Sequence, residues 1–492
     1  MAAARAVAKA LAAEIGVVAV AATKAEIDEA RRVLADFRVR ARGLFDARGD
    51  ALFELCDALS CAPGPVRSMV ELCLEPEFRR GHGASYDAVA CGSVDVVGLR
   101  KVVAGLPAPR GADGRITLAV DVSNWLRPDA PTSEGRLFCH ASGRGGAGDQ
   151  IVPGWQYSFV VALEPGRSSW CPVLDVRRLG RADDVTGATA VQVEAVVEAL
   201  AKTGQWKHGD PDVSVVFDAG YDVTRLAYLL AGLPVTVLGR MRSDRVLCFP
   251  AGPRTPGGAG PTAVHGPEFK FAQEWTWPVA DVMTGTGTDR YGMVIAEAWE
   301  RLHPRLVKRG AWTGVVGDLP VVEGTVVRME VDRLPGDHAP VPVWLWWSGS
   351  GADAAVVDWL WQSYPRRFDI EHMFRMWKRT LGWTAPQIRS PERADRWTAL
   401  IVIVHTQPWL ARPLVEDARR PWERPARTGR MSPARVRRQF RYLHPTLPNP
   451  AGAPRPSTAG PGRPKGSKNK QKAKVHIVGK AARPNTGKKT KK

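Results

Sequence analysis

Two aspartates and a glutamate, far apart in the chain, stand where chemistry could be built. Asp121 and Asp218 lie at or near the ends of separate apolar runs, Ile116-Thr-Leu-Ala-Val-Asp-Val122 and Val213-Ser-Val-Val-Phe-Asp218. Each run reads as a short buried strand, and such strands commonly end on turn residues, so either aspartate alone reads as a turn or cap. Their neighbours are less ordinary: Asp121-Val-Ser-Asn-Trp and Asp218-Ala-Gly-Tyr, where Gly220 allows a tight turn beside the carboxylate. The third element is Tyr364-Pro-Arg-Arg-Phe-Asp-Ile-Glu-His-Met-Phe-Arg-Met-Trp-Lys378. Tyr364, Arg367, Glu371 and Lys378 fall within one stripe of roughly 60° if a single helix turns about 100° per residue. Pro365 suits the start of that helix, with Tyr364 at its cap. Arg367–Glu371 is also an ordinary i,i+4 pair, so the stripe alone leaves a solvated, salt-bridged face as an alternative. Ile370, Met373, Phe374 and Trp377 give the same helix a separate core face.

Three acids brought together offer hard oxygen ligands, which magnesium prefers over nitrogen or sulfur. Two such ions can activate a water or a 3′-hydroxyl and stabilise the leaving oxygen of an in-line phosphodiester displacement. Cations nearby would offset backbone charge and fix the scissile phosphate. The chemistry needs no protein nucleophile.

The pattern Tyr364-x2-Arg367-x3-Glu371-x6-Lys378 resembles the signature of a subgroup of bacterial insertion-sequence DDE transposases, whose catalytic domain is RNase H-like. The order strand-Asp, strand-Asp-x-Gly-Tyr, β insertion, helix-Glu is also that family's order. The resemblance covers about residues 112 to 415. It implies that Asp121, Asp218 and Glu371 are the catalytic, metal-binding triad for two Mg2+ ions, with Mn2+ as a substitute. It implies that Tyr364, Arg367 and Lys378 contact phosphates and the DNA end. Hairpin formation on the released DNA is a further family expectation.

The elements that must position these residues follow from periodicity. Thr23-Lys-Ala-Glu26 resembles a capping box ahead of a helix reaching Phe45, with further helical segments near 50–60, 65–76 and 93–105. From Pro107 the pattern changes to strands at 116–122, 155–163 and 170–176, a helix at 188–202, a strand at 213–218, a helix at 222–231 and a strand at 234–238. Residues 245–340 are rich in Gly, Pro and Val and read as a mostly β insertion, with 341–347 as its last strand. Helices return at 353–363, 366–381 and 392–411. The expected fold is therefore α/β, an RNase H-like mixed sheet flanked by helices and interrupted by the β insertion. The expected organisation is an extension (1–22), a helical, DNA-binding domain (23–110), a catalytic core in two parts (111–244 and 348–420) around the insertion (245–347), and a basic, largely disordered DNA-binding tail (421–492).

Charge is concentrated in that tail. Residues 424–492 carry 20 Lys and Arg and no acid, leaving 49 basic against 50 acidic groups in the preceding 423 residues. A nearly neutral body with a cationic tail points to a polyanion, nucleic acid first and an anionic membrane second. Within the tail, Gly462-Arg-Pro-Lys-Gly-Ser-Lys468 resembles an AT-hook, with Arg463 and Lys465 as DNA contacts; a nonspecific cationic tail is the equal alternative. Seven scattered cysteines without a C-x-x-C pair argue against a disulfide framework and a zinc finger, and fit a reducing cytoplasm. The Ala-rich residues 1–22 faintly resemble a signal peptide, but Glu14 interrupts the apolar run, and a frayed helix is expected. No apolar stretch is long enough for a membrane span.

Several motifs carry less. Gly143-Arg-Gly-Gly-Ala-Gly148 matches G-x-G-x-x-G but precedes a strand, so a dinucleotide site is excluded and a flexible active-site loop or hairpin is expected. His140, His372 and the insertion residues Trp275, Trp277, Trp299 and Trp312 read as structural, although a tryptophan could stack on an unpaired base. The leading expectation is a cut-and-paste transposase, bacterial and nucleoid-associated in the cytoplasm, acting as a homodimer on double-stranded DNA: transposon-end inverted repeats and a target. A nuclease of the same fold without strand transfer, and a DNA-binding protein that has lost catalysis, are the alternatives.

Overall fold

The computed structural model describes residues 23–141, 150–166, 168–253, 263–336, 339–426, 431–455, 465–468 and 471–479. The G-x-G-x-x-G segment, the 1–22 extension and Arg463 lie outside them. The first helix, α1 (Lys24–Gly43), starts at the expected capping box: Glu26 N–H donates to Thr23 Oγ1 at 3.3 Å, and Thr23 N–H donates to Glu26 Oε2 at 2.8 Å. It is followed by α2 (Gly49–Cys61), buried at every position but Asp50, then by α3 (Met69–Leu72), α4 (His82–Cys91) and α5 (Val96–Ala104). The helix expected over 65–76 is a single turn. Helix α4 went unread because its small residues, Gly83, Ala84, Ser85 and Ala88, make no strong apolar stripe.

The sheet begins with β1 (Thr117–Leu126), β2 (Leu137–Ala141), β3 (Gln150–Ala162) and β4 (Val173–Arg178). Helix α6 (Val185–Lys202) leads to β5 (Val213–Phe217), and α7 (Val223–Leu230) leads to β6 (Val235–Met241). Strand β3 pairs antiparallel with β1, β2 and β4, whereas β1–β5 and β5–β6 are parallel, as helical crossovers require. The insertion supplies a two-stranded hairpin, β7 (Val246–Pro250) with β8 (His265–Lys270), and then β9 (Val282–Thr288), β10 (Gly292–Leu302) and β11 (Gly324–Val331). Through β12 (Val343–Trp347), antiparallel to β6, the last three insertion strands extend the core sheet to the order β2-β3-β1-β5-β6-β12-β11-β10-β9. This is a mixed, helix-flanked, RNase H-like α/β fold. Trp299 and Trp312 are buried, and Trp277 stacks on Phe269 at 5.9 Å, whereas Trp275 is 80% exposed.

Side-chain parity decides which face each residue serves. Leu118 and Val120 of β1 pack with Val193 and Val197 of α6 on one face, whereas Ala119 and Trp125 pack on the other. Asp121 has the parity of Ala119, so it points to the second face. That face is covered by α8 (Ala354–Arg366), α9 (Phe368–Arg379) and α10 (Pro391–Ala411). Phe159 of β3 meets Phe374 and Trp377 of α9 at 5.0 and 5.4 Å between ring centres, which seats α9 against β1 and β3. Helices α1 and α2 share this core with α10.

Two expectations need correction. The tail expected to be largely disordered from residue 421 holds a packed helix, α11 (Pro433–Leu443), which buries Val436, Phe440 and Leu443 against the same core. Composition masks this amphipathic stripe, whose i, i+4, i+7 spacing lies among arginines. The second concerns the signature stripe. Tyr364 and Pro365 do not begin a helix; they close α8, and Arg367 is the junction from which α9 departs. Pro365 removes the backbone donor that would reach the Trp361 carbonyl and so weakens the last turn of α8, while the junction itself falls two residues later at Arg367.

Candidate active site

Asp121 lies in the middle of β1, not at its end as the apolar run suggested. Parallel pairing with β5 covers only Thr117 to Ala119, while pairing with β3 continues to Leu126. Beyond Ala119 the β5 side of β1 is therefore open, and Asp121 stands at the mouth of that crevice. Asp218 follows β5 directly, and a turn in which Tyr221 N–H donates to Asp218 O at 3.1 Å holds it there. Both acids thus sit where open α/β sheets place their ligands, outside the carboxyl ends of adjacent parallel strands.

Arg367 gathers the acids. Its Nη1 donates to Asp121 Oδ2 at 3.0 Å, and its Nη2 lies 3.6 Å from Asp218 Oδ1 and 3.8 Å from Glu371 Oε1. The guanidinium is buried, with 4% of the side chain exposed, whereas Asp218 and Glu371 keep about half their side chains open to solvent at 41% and 51%. The three carboxylates do not cluster as tightly as 4.8 Å between oxygens; the guanidinium stands among them. Tyr364 Oη donates to Asp218 Oδ1 at 3.4 Å from the last turn of α8. Lys378, in the last turn of α9, lies with its ammonium 5.7 Å from the Trp383 ring centre, and Asp121 is the carboxylate that acts on it.

Electrostatics shows what this convergence costs. Burial raises the Asp121 carboxyl to about 6; Arg367 and the Val122 N–H oppose that rise, and the charges of Asp218 and Glu371 add to it. Loss of hydration lowers the Lys378 ammonium, with Asp121 opposing. Burial and Asp218 raise the Tyr364 phenol, against Arg367 and Arg240.

Of the residues singled out in the sequence, Asp121, Asp218, Glu371, Tyr364 and Arg367 are joined by direct contacts, and Lys378 is coupled to Asp121. Lys465 is exposed in a turn and is not among the residues that meet at Arg367. Two others belong to the site without having been read from sequence. Arg240 of β6 is exposed, and its charge acts on the Tyr364 phenol. The buried Tyr221 hydroxyl has no hydrogen-bond partner among the described residues and feels Asp121 and Asp218. The Asp-x-Gly-Tyr string was a signal for Tyr221; nothing local marked Arg240.

Hard oxygen donors converging from a strand, a strand end and a helix on an RNase H-like sheet define a fold and site suited to divalent cations. The family model described as DDE superfamily endonuclease matches residues 42–305, over half of the chain, and the chain belongs to this family. Enzymes of the family generally use divalent metals. The match takes in α2 to α5 as well as Asp121 and Asp218, and ends before Glu371. Among curated proteins, none matches the chain.

Proposed function

We propose that this DDE endonuclease is a transposase that cuts DNA at transposon ends and joins the freed 3′-hydroxyl to target DNA. The observation that carries the reading is the meeting of Asp121, Asp218 and Glu371 around Arg367, from three separate elements. Asp121, Asp218 and Glu371 would hold the magnesium ions, and the carboxylate oxygens and the elevated Asp121 carboxyl fit a hard cation. When bound, the metal would supply activation of the attacking oxygen and stabilisation of the leaving one.

The chain's own residues do the rest. Arg367 keeps Asp121 ionised and holds its carboxylate in one orientation. Tyr364 orients Asp218. Lys378, Arg240 and Arg367 supply positive charge for the phosphates of a DNA end, and the tail, with Arg463 and Lys465, adds sequence-independent attraction to double-stranded DNA. Two copies acting on paired ends complete the proposal.

The test supplies a labelled transposon-end duplex with a free 3′-hydroxyl, a target plasmid and Mg2+. Label joined to plasmid, and lost in Asp121→Ala, supports the transposase. Metal-dependent cutting without joining points to a nuclease of the same fold. Cutting that survives Asp121→Ala sinks the assignment of the site.

A further inference from the structure

Away from the carboxylate crevice, the helical layer holds a second set of ligand-type side chains. Cys61 ends α2, Glu77 lies in the bend after α3, and His444 follows α11. One ligand atom from each lies within 4.8 Å of the other two. Residues 61 and 444 come from opposite ends of the chain, and only the packing of α11 on α2 brings them together.

We propose that Cys61, Glu77 and His444 form a zinc-type metal site that fastens α11 to α2. Sulfur, oxygen and imidazole nitrogen are the three ligand types zinc accepts, and tetrahedral bonds of about 2.0–2.3 Å place such ligands about 3.5 Å apart, inside the 4.8 Å bound that holds here. Three further observations point to a cation. Glu77 Oε2 is buried without a hydrogen-bond partner among the described residues, an arrangement that is costly unless something positive meets it. His444 Nε2 lies 3.1 Å from Asp57 Oδ2 and 3.4 Å from Arg38 Nη2; in the tautomer that donates to Asp57, the lone pair of a neutral ring stands on Nδ1. This carboxylate–imidazole pairing is the usual support of a metal-bound histidine. Asp57 is itself fixed by Arg38, whose Nη1 and Nη2 donate to it at 2.6 and 3.0 Å.

Charge also balances. Arg38 answers Asp57, so the Cys61 thiolate and the Glu77 carboxylate together match a dication. Neighbouring Arg437 donates to the carbonyl oxygens of Leu59 and Gly64, and the groups whose charge acts on it are Cys61 and Glu75. Binding exchanges the Cys61 thiol proton for the metal–sulfur bond and releases that proton to solvent. A fourth position is left for water.

Full-length protein stripped with chelator and titrated with Co2+ tests this by absorbance, because only a thiolate ligand gives a sulfur-to-cobalt charge-transfer band. The expected result is one equivalent per chain that produces the band, Zn2+ displacing it, and its persistence in Asp121→Asn, where the carboxylate crevice is damaged. The band should vanish in Cys61→Ser, and affinity should fall on the order of tenfold or more in His444→Gln. Melting of Cys61→Ser alongside the wild type in chelator, with Zn2+ stabilising only the wild type, separates lost binding from lost folding. Should Cys61→Ser not fold, His444→Gln and the wild-type titration decide. A wild-type protein without the band, a band that survives Cys61→Ser, or an unchanged affinity in His444→Gln overturns the proposal.

Discussion

Replacing Asp121 by asparagine keeps the shape of the side chain and removes its charge. The carboxyl stands at about 6 in the folded protein against an ordinary 3.8. At about 1.4 kcal/mol per pH unit, keeping it ionised at neutral pH costs the fold about 3 kcal/mol. Its side chain is 21% exposed, and solvent screening brings this to roughly 2 kcal/mol. The sign follows from linkage. A carboxyl raised in the folded state contributes its stability below its unfolded value, and that contribution is lost as pH rises through the folded one. Wild type should therefore lose roughly 2 kcal/mol between about pH 4 and pH 7 that Asp121→Asn does not lose. Asp369, raised by burial to about 6, titrates alike in both proteins and cancels. Urea denaturation in chelator at about pH 4.5 and pH 7 measures the difference. The variant should be the more stable protein at pH 7, by about 1–2 kcal/mol after Arg367 loses its partner's charge, while losing DNA cleavage. A variant less stable than wild type at pH 7, or a gap that ignores pH, refutes the reasoning.

Arg367→Gln strands Asp121 beside two like charges; chemical denaturation should show a loss of about 3–5 kcal/mol at pH 7. That deficit should shrink as pH falls through 6, when Asp121 can take a proton. Arg38 is fully buried with Asp57, Gln407 and the Pro448 carbonyl, so Arg38→Met should also cost about 3–5 kcal/mol in the same assay. Truncation separates tail from fold. Ending the chain after residue 455 removes the backbone bonds of His476 and Gly479 to Pro131 and Arg136, so it should lower the melting temperature only slightly while flattening the salt dependence of DNA binding. Ending it after residue 430 removes the buried Phe440 and Val436 and should lower the melting temperature sharply. An unchanged salt slope in the shorter deletion would remove the tail from the account of DNA binding.

The strands and helices of the catalytic core were legible because each buries one face, and periods of 2 and 3.6 record that burial. Asp121 and Asp218 could be found from apolar runs, but not the reason Asp121 is exposed to the crevice. That depends on β1 outrunning its pairing with β5, and pairing register leaves no mark on a single strand. The stripe from Tyr364 to Lys378 pointed to side chains that meet in the fold, but through an imperfect geometry, since Arg367 joins two helices that periodicity read as one. Arg240 was invisible because β6 and α8 meet only in the fold. Helix α11 hid behind its arginines, and the extension of the sheet by β12 follows from pairing across a hundred residues. The Arg38–Asp57–His444 network likewise spans the chain, and no local window contains it.

The central claim is that Asp121, Asp218 and Glu371 share bound divalent cations. A crystal structure of the full chain with Mn2+ and a transposon-end duplex, with anomalous scattering recorded for the metal, tests it directly. The account predicts anomalous peaks within bonding distance, about 2.0–2.3 Å, of oxygens from all three residues, with the scissile phosphate alongside. Peaks that leave any one of the three carboxylates unligated, or a phosphate seated elsewhere, would contradict it.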